Sequence, residues 1–204
     1  MLLDAGRSGR GPWQVSFGER FGVDPRRLDD TLFGTPWPDV ITGRRPVEAA
    51  LAEALAALGW DMGVEAALQC WFEEDFVVDP VIVAAATHWS DLGVPLALVS
   101  NQEPRRARYL EQRLAPLLPP FAAAFSGDVG AVKGDGGFYS RAERHLGLEP
   151  GAAVVFLDDT AANVEAATAH GWTGIHFTRD GEWRDEVDAA LARAGTAEGS
   201  APPA

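Results

Sequence analysis

The sequence predicts an α/β protein built on a doubly wound parallel sheet, with a small all-helical segment inserted near its start. Three observations predict it. From about residue 79 to residue 177, short apolar runs alternate with helical stretches across short loops, the pattern of parallel strands joined by crossover helices. Residues 13–76 carry helical spacing and no convincing strand. Three apolar runs end in polar residues, at Asp4, at Ser100-Asn101 and at Asp158-Asp159. In a parallel sheet those ends share one edge, and ligands bind along that edge in open α/β sheets.

Taken in order, Leu2-Leu3-Asp4 reads as the end of a strand, and Gly6 to Pro12 as a glycine-rich turn. That turn lacks both the Gly-Lys-Ser/Thr of a P-loop and the G-x-G-x-x-G of a dinucleotide site. Helices are expected near 14–21, 25–33, 46–58 and 63–73, bounded by Asp24-Pro25, Arg45-Pro46 and Gly59. Val47, Leu51, Ala54, Leu55 and Leu58 form an apolar stripe on the third of these. Trp13, Phe17, Phe21, Phe33 and Trp37 crowd the first part of the insertion and predict a small helical core; the alternative is a cap whose aromatics face a pocket.

A helix over 79–92 should end at Gly93 and feed a buried strand, Val94–Val99. A helix over 104–114, a brief strand at 122–125, a loop over 126–130 and a helix at about 137–146 follow. Val154-Val155-Phe156-Leu157 is too short for a helix and suits a strand buried on both faces. Thr160 is placed to cap a helix over 161–170, and Trp172–Phe177 is a last strand. The organisation expected is a core of 1–12 and 77–194, a helical cap of 13–76, and a disordered tail of 195–204 rich in Gly, Ala, Ser and Pro.

Composition narrows the function. With 204 residues and 47% hydrophobic content the chain can bury a core. A net charge of −13 argues against nonspecific binding to nucleic acid or an anionic membrane, since both reward positive surface. No apolar run reaches the ~18 residues of a membrane span, and Met1–Arg10 has no apolar stretch of the kind a secretory leader carries. A cytoplasmic protein is expected. The single cysteine, Cys70, sits among apolar neighbours and reads as a small buried hydrophobe. His145, His170 and His176 are not at ligand spacing, so no zinc site is expected, and His88 reads as structural.

Two adjacent carboxylates at a strand end repel unless a cation or solvent relieves them. A hard cation such as Mg2+ is held by one or two carboxylates together with substrate phosphate; the plainer reading is a solvated Asx turn. An Asp nucleophile, a hydroxyl, a lysine and an acid pair are together the parts that phosphoryl transfer through an aspartyl-phosphate requires.

At this point the chain resembles the haloacid dehalogenase superfamily of phosphatases and related hydrolases, from Asp4 to about Phe177. Phe156-Leu157-Asp158-Asp159-Thr160-Ala161-Ala162-Asn163-Val164-Glu165-Ala166-Ala167 followed by Gly171 is similar to that family's fourth motif. Leu98-Val99-Ser100-Asn101-Gln102 resembles the second, and Gly127–Lys133 the third. The resemblance implies a Rossmannoid core with a helical cap and a Mg2+-dependent phosphatase of a small phosphorylated metabolite. Asp4 would be nucleophile and metal ligand, the Gly6 carbonyl and the pair Asp158 and Asp159 would complete the metal site, Ser100 and Asn101 would hold phosphate, and Lys133 would offset charge. Which aspartate of the pair touches the metal directly stays open, as does oligomeric state. Two departures stand out. Gly134-Asp135-Gly136 replaces the usual Pro-Asp-Pro, and Asp4-Ala5-Gly6-Arg7-Ser8 puts Gly6 where the second aspartate, the usual general acid/base, stands. The alternative is therefore a catalytically impaired binding or regulatory protein of the same fold. Arg7 and Arg10 follow the nucleophile closely, as phosphate contacts or as part of a solvated loop.

Overall fold

A computed structural model describes residues 12–135 and 137–198. Expectations that rest on Asp4, Gly6, Arg7 and Arg10 lie outside the described residues. The chain divides into two compact units, with the division between Val132 and Lys133.

The first unit begins with α1 (Pro12–Phe21), α2 (Arg26–Thr31), α3 (Trp37–Ile41), α4 (Val47–Leu58) and α5 (Val64–Glu74). On α4 the stripe Val47, Ala50, Leu51, Ala54 and Leu55 is buried, and the helix stops at Gly59. Gly59 takes a left-handed φ of 69° and its N–H reaches the carbonyls of Leu55 and Ala56, a C-terminal cap that only glycine adopts without steric cost. The aromatics pack on one another. Trp13 lies 5.6 Å from Phe17 and 5.6 Å from Trp71, and Phe33 lies 5.4 Å from Trp71. Trp13 and Phe17 are buried in this helical core and Phe21, Phe33 and Trp37 pack against it half-buried, as the core reading of the cluster expects, and Trp71 joins them. Helix α3 was not expected; two prolines in Pro36-Trp37-Pro38 suggest a loop, yet proline is tolerated in the first turn of a helix.

Next come α6 (Pro80–Asp91), β1 (Leu96–Ser100), α7 (Pro104–Leu114), β2 (Phe121–Phe125) and α8 (Ser126–Val129). Strands β1 and β2 pair in parallel, from Leu96 opposite Phe121 to Ser100 opposite Phe125. Strand β1 is half-buried rather than buried as expected, and Ala97 is exposed; among the described residues it has a strand neighbour on one side only. The loop expected over 126–130 is instead the single turn α8, closed by Gly130 at φ 69°. One turn is too short for helical periodicity to register in a sequence.

Glu103 caps α7, accepting from the backbone N–H of Arg105 at 2.8 Å and of Arg106 at 2.6 Å. Burial pushes its carboxyl above the usual range, with the two backbone donors opposing. Buried Arg106 pairs with Asp75 at 2.5 Å and lies over the rings of Trp71 and Phe72, which ties α7 to the end of α5. Arg105 bridges Glu48 on α4 and Glu65 on α5.

The second unit contains α9 (Phe138–Leu146), β3 (Val155–Asp158), α10 (Ala161–His170), β4 (Thr173–His176) and α11 (Trp183–Glu198). β3 and β4 pair in parallel, from Val155 opposite Thr173 to Asp158 opposite His176, with α10 as the crossover. Phe138, Tyr139, Phe156, Trp172, Ile175 and Trp183 are buried in this unit. At Gly174 a Cβ would lie 2.5 Å from the Thr168 hydroxyl, so glycine lets β4 approach α10 closely. Helix α11 was not expected, and it runs into the segment read as a tail, through Glu198. Trp183, Val187 and Ala190 form its buried stripe, sparse enough to be hidden among charged and alanine residues.

At Gly127 in the first unit a Cβ would sit 2.7 Å from Cδ of Pro104 and 2.9 Å from its nitrogen. Gly127→Ala should cost about 1–3 kcal/mol by overpacking, read as a lower urea midpoint with an unchanged slope.

Candidate active site

Strand β3 alternates in burial: Phe156 and Asp158 are buried while Val155 and Leu157 are half-buried. Residues two apart in a strand share a face, so Phe156 and Asp158 point the same way. Lys133, the first residue of the second unit, lies across both. Its Nζ is 2.5 Å from Asp158 Oδ2 and 5.9 Å from the centre of the Phe156 ring. The two charged side chains are 11% and 5% exposed, so they meet in a largely dry setting. An ion buried without a partner costs several kcal/mol, so each of these groups is tolerable mainly because of the other.

The second oxygen of Asp158 is also engaged. Oδ1 accepts from the backbone N–H of Thr160 at 2.9 Å and from the Asn163 side-chain amide at 3.0 Å. Thr160 stands at the N-cap position of α10 but makes no side-chain cap bond, contrary to expectation; Asp158 receives its N–H instead. Asn163 is held from its other end too, because its carbonyl accepts from the Tyr139 hydroxyl at 2.7 Å. Burial, and then the negative charge of Asp158, raise the Tyr139 phenol pKa and keep it a donor. The turn 158–160 is thus an Asx turn, but a buried and ion-paired one. Asp159, the next residue, is exposed.

This arrangement bears on the expected metal. The carboxylate of Asp158 accepts three protein hydrogen bonds across both oxygens, and Asp159, just past the strand end, is an exposed residue. Mg2+ needs few protein carboxylates, completing its shell with water and phosphate. The donor chemistry of Asp159 fits that ion, with Asp158 serving to hold Lys133.

Ser100 and Asn101 belong to the first unit, at and just after the end of β1, while Lys133, Asp158 and Asp159 belong to the second. The structure brings Lys133 and Asp158 together, and it joins Ser100 to a residue that sequence reasoning gave no role. The Gln102 side-chain amide donates to Ser100 Oγ at 3.2 Å. Asn163 and Tyr139 were likewise given no role. The spacing Asp-x-x-x-x-Asn from Asp158 to Asn163 was the available signal for the former. Among the described residues no three His, Cys, Asp or Glu side chains cluster as a metal site. His170 pairs with Glu143 at 3.1 Å, and Cys70 is buried, its thiol pKa pushed up by that burial. No described helix is long and apolar enough to cross a membrane.

The family model for haloacid dehalogenase-like hydrolases matches residues 6–171. Enolase-phosphatase E1 of Sorangium cellulosum is 29% identical over 202 aligned positions, covering 80% of this chain and 86% of that one. A haloacid dehalogenase family enzyme of Bacteroides thetaiotaomicron superposes with a TM-score of 0.71 at 12% identity, over 91% of this chain and 93% of the other. The same enzyme solved with magnesium and inorganic phosphate superposes with a TM-score of 0.68 at 12% identity, over 89% and 91%. These likenesses confirm the expected fold class, a parallel α/β fold of the haloacid dehalogenase type.

The different settings of the two aspartates separate their substitutions. Asp158→Asn removes the buried carboxylate that Lys133 pairs with and should cost about 3–5 kcal/mol. Asp159→Asn, at an exposed position, should stay within about 0.5 kcal/mol of the parent. Urea titrations of both variants measure the difference; equal losses would contradict the division of roles.

Proposed function

Because the chain belongs to the haloacid dehalogenase-like hydrolase family, we propose that it is a Mg2+-dependent phosphatase that cleaves a small phosphorylated metabolite through an aspartyl-phosphate. One observation carries this reading: Lys133 is held on Asp158 at the end of β3, with Asp159 beside it. That is a fixed positive charge next to an exposed carboxylate, the pairing that a bound phosphoryl group and its cation both use. The relative named Enolase-phosphatase E1 and the structural neighbour solved with magnesium and phosphate support it.

In this reading Asp159, Asp4 and the Gly6 carbonyl hold Mg2+, which when bound offsets phosphoryl charge. Helices α1–α5 form the cap and the remaining elements the core. Ser100 and the backbone at Asn101 bind phosphoryl oxygens, and Lys133, held by Asp158, offsets phosphoryl charge. The Asp4 carboxylate attacks phosphorus, forming an O–P bond as the ester P–O bond breaks and the alcohol departs with the bonding pair. Water then cleaves the aspartyl-phosphate, releasing inorganic phosphate and restoring Asp4. With Gly6 in place of the second aspartate, the departing oxygen takes its proton from solvent or a neighbouring side chain.

That same Gly6 favours a second reading, in which the pocket binds phosphate and cation but turns over poorly. Activity and binding separate the two. Mg2+ should raise the melting temperature of the parent by mass action on the folded state and not that of Asp159→Asn. General acid help is typically worth about 10²–10⁴ in rate, so aryl phosphates, whose leaving groups need a proton least, should be hydrolysed faster than alkyl phosphates. Gly6→Asp should raise alkyl turnover more than aryl. Asp4→Asn should remove activity and the binding of beryllium fluoride, a mimic of the acyl phosphate. A folded Gly6→Asp protein that binds Mg2+ and hydrolyses neither ester would establish the binding role instead.

A further inference from the structure

We propose that Gln102 is a positioning residue that fixes Ser100 as a hydrogen-bond donor to a phosphoryl oxygen; the inference rests on the phosphatase reading above. A serine hydroxyl has one proton and two acceptor lone pairs. Its direction decides whether it attracts or repels an anion. Here the Gln102 side-chain amide donates to Ser100 Oγ at 3.2 Å. That bond occupies an acceptor lone pair and leaves the Ser100 proton to be donated, which is the polarity that a phosphoryl oxygen requires.

The Gln102 backbone is held firmly enough for this role. Its N–H donates to Ser126 Oγ at 2.9 Å, and its carbonyl accepts from the Gly127 N–H at 3.0 Å. Ser126 is fully buried, and its hydroxyl lies 2.7 Å from the Ile41 carbonyl at the end of α3 and 3.1 Å from the Gln102 carbonyl. Gly127 packs directly on Pro104, the first residue of α7. The turn after β1 is therefore clamped by α8, and the side chain of Gln102 departs from a fixed backbone. The rotamer freedom that a glutamine would otherwise lose on ordering is reduced before any ligand arrives.

The test replaces the donor by an acceptor of the same shape. Gln102→Glu at pH 8 puts a carboxylate against Ser100, and the hydroxyl turns to donate to it instead of to phosphate. Binding of inorganic phosphate in the presence of Mg2+, measured by calorimetry, should weaken roughly tenfold, the loss of about one hydrogen bond. KM for p-nitrophenyl phosphate should rise more than kcat falls. Ser100→Ala should weaken phosphate binding by itself and abolish any further effect of Gln102→Glu. If Gln102→Glu does not fold, Gln102→Met removes the donor at similar volume, and its loss of affinity should likewise vanish on the Ser100→Ala background.

Unchanged affinity in Gln102→Glu beside a weakened Ser100→Ala overturns this inference and leaves the phosphatase reading standing. So does a loss that is additive with Ser100→Ala. A parent protein that binds no phosphate overturns both together.

Discussion

The ion pair between Lys133 and Asp158 sets the conditions under which the rest of the second unit is built. Both side chains are nearly dry, and charges in such a setting persist only when paired and hydrogen-bonded. Each remaining contact of Asp158 follows from that need. The start of α10 supplies the Thr160 N–H, Asn163 supplies an amide, and Tyr139 on α9 fixes Asn163 in turn. Phe156, on the same face two residues earlier, gives the ammonium an aromatic face. α9, β3 and α10 are thus joined around one carboxylate. The adjacent carboxylate at Asp159 is exposed and differs from Asp158 in setting, though not in chemistry.

A similar logic operates after β1. Ser100 stands at the end of its strand and is met by Gln102, whose backbone is held by a buried serine from a different element. In both units a residue at a strand end is positioned by a polar partner that is itself fixed by tertiary contacts. Short hydroxyl and carboxylate side chains have few rotamers, so a modest number of such bonds is enough to define the direction in which each one acts.

The chain as a whole is strongly acidic, at −13, yet the site proposed for an anionic substrate is not contradicted by that balance. A field from distant surface charge is screened over about 8–10 Å in salt, whereas Lys133 acts at contact distance in a low-dielectric setting. Local cations can therefore reverse the sign of the field within one pocket. The cost of an acidic surface falls instead on partners that read charge over large areas, such as nucleic acid.

Much of this was determined by the sequence alone. The alternation of apolar runs and helices located all four described strands to within about two residues, because strand and helix periods differ and each run was bounded by glycine, proline or polar residues. The pair Asp158-Asp159 and Ser100 were legible as candidates because each directly follows an apolar run, and Lys133 because its glycine-containing loop precedes a helix and resembles a family motif. Helices α3, α8 and α11 were not, since one or two turns, or a sparse stripe on a charged helix, carry too little periodicity. Only tertiary structure decided which of the two aspartates meets Lys133. Lys133 is 25 residues from Asp158, and no local rule says which carboxylate it will meet; Asp158, on the β3 face shared with Phe156, is buried, and Asp159, just past the strand, is exposed. The same holds for Gln102, 24 residues from the serine that holds it. Its role depends on a backbone clamped from another element, and hydrogen bonds between distant segments are specified by packing rather than by sequence neighbours.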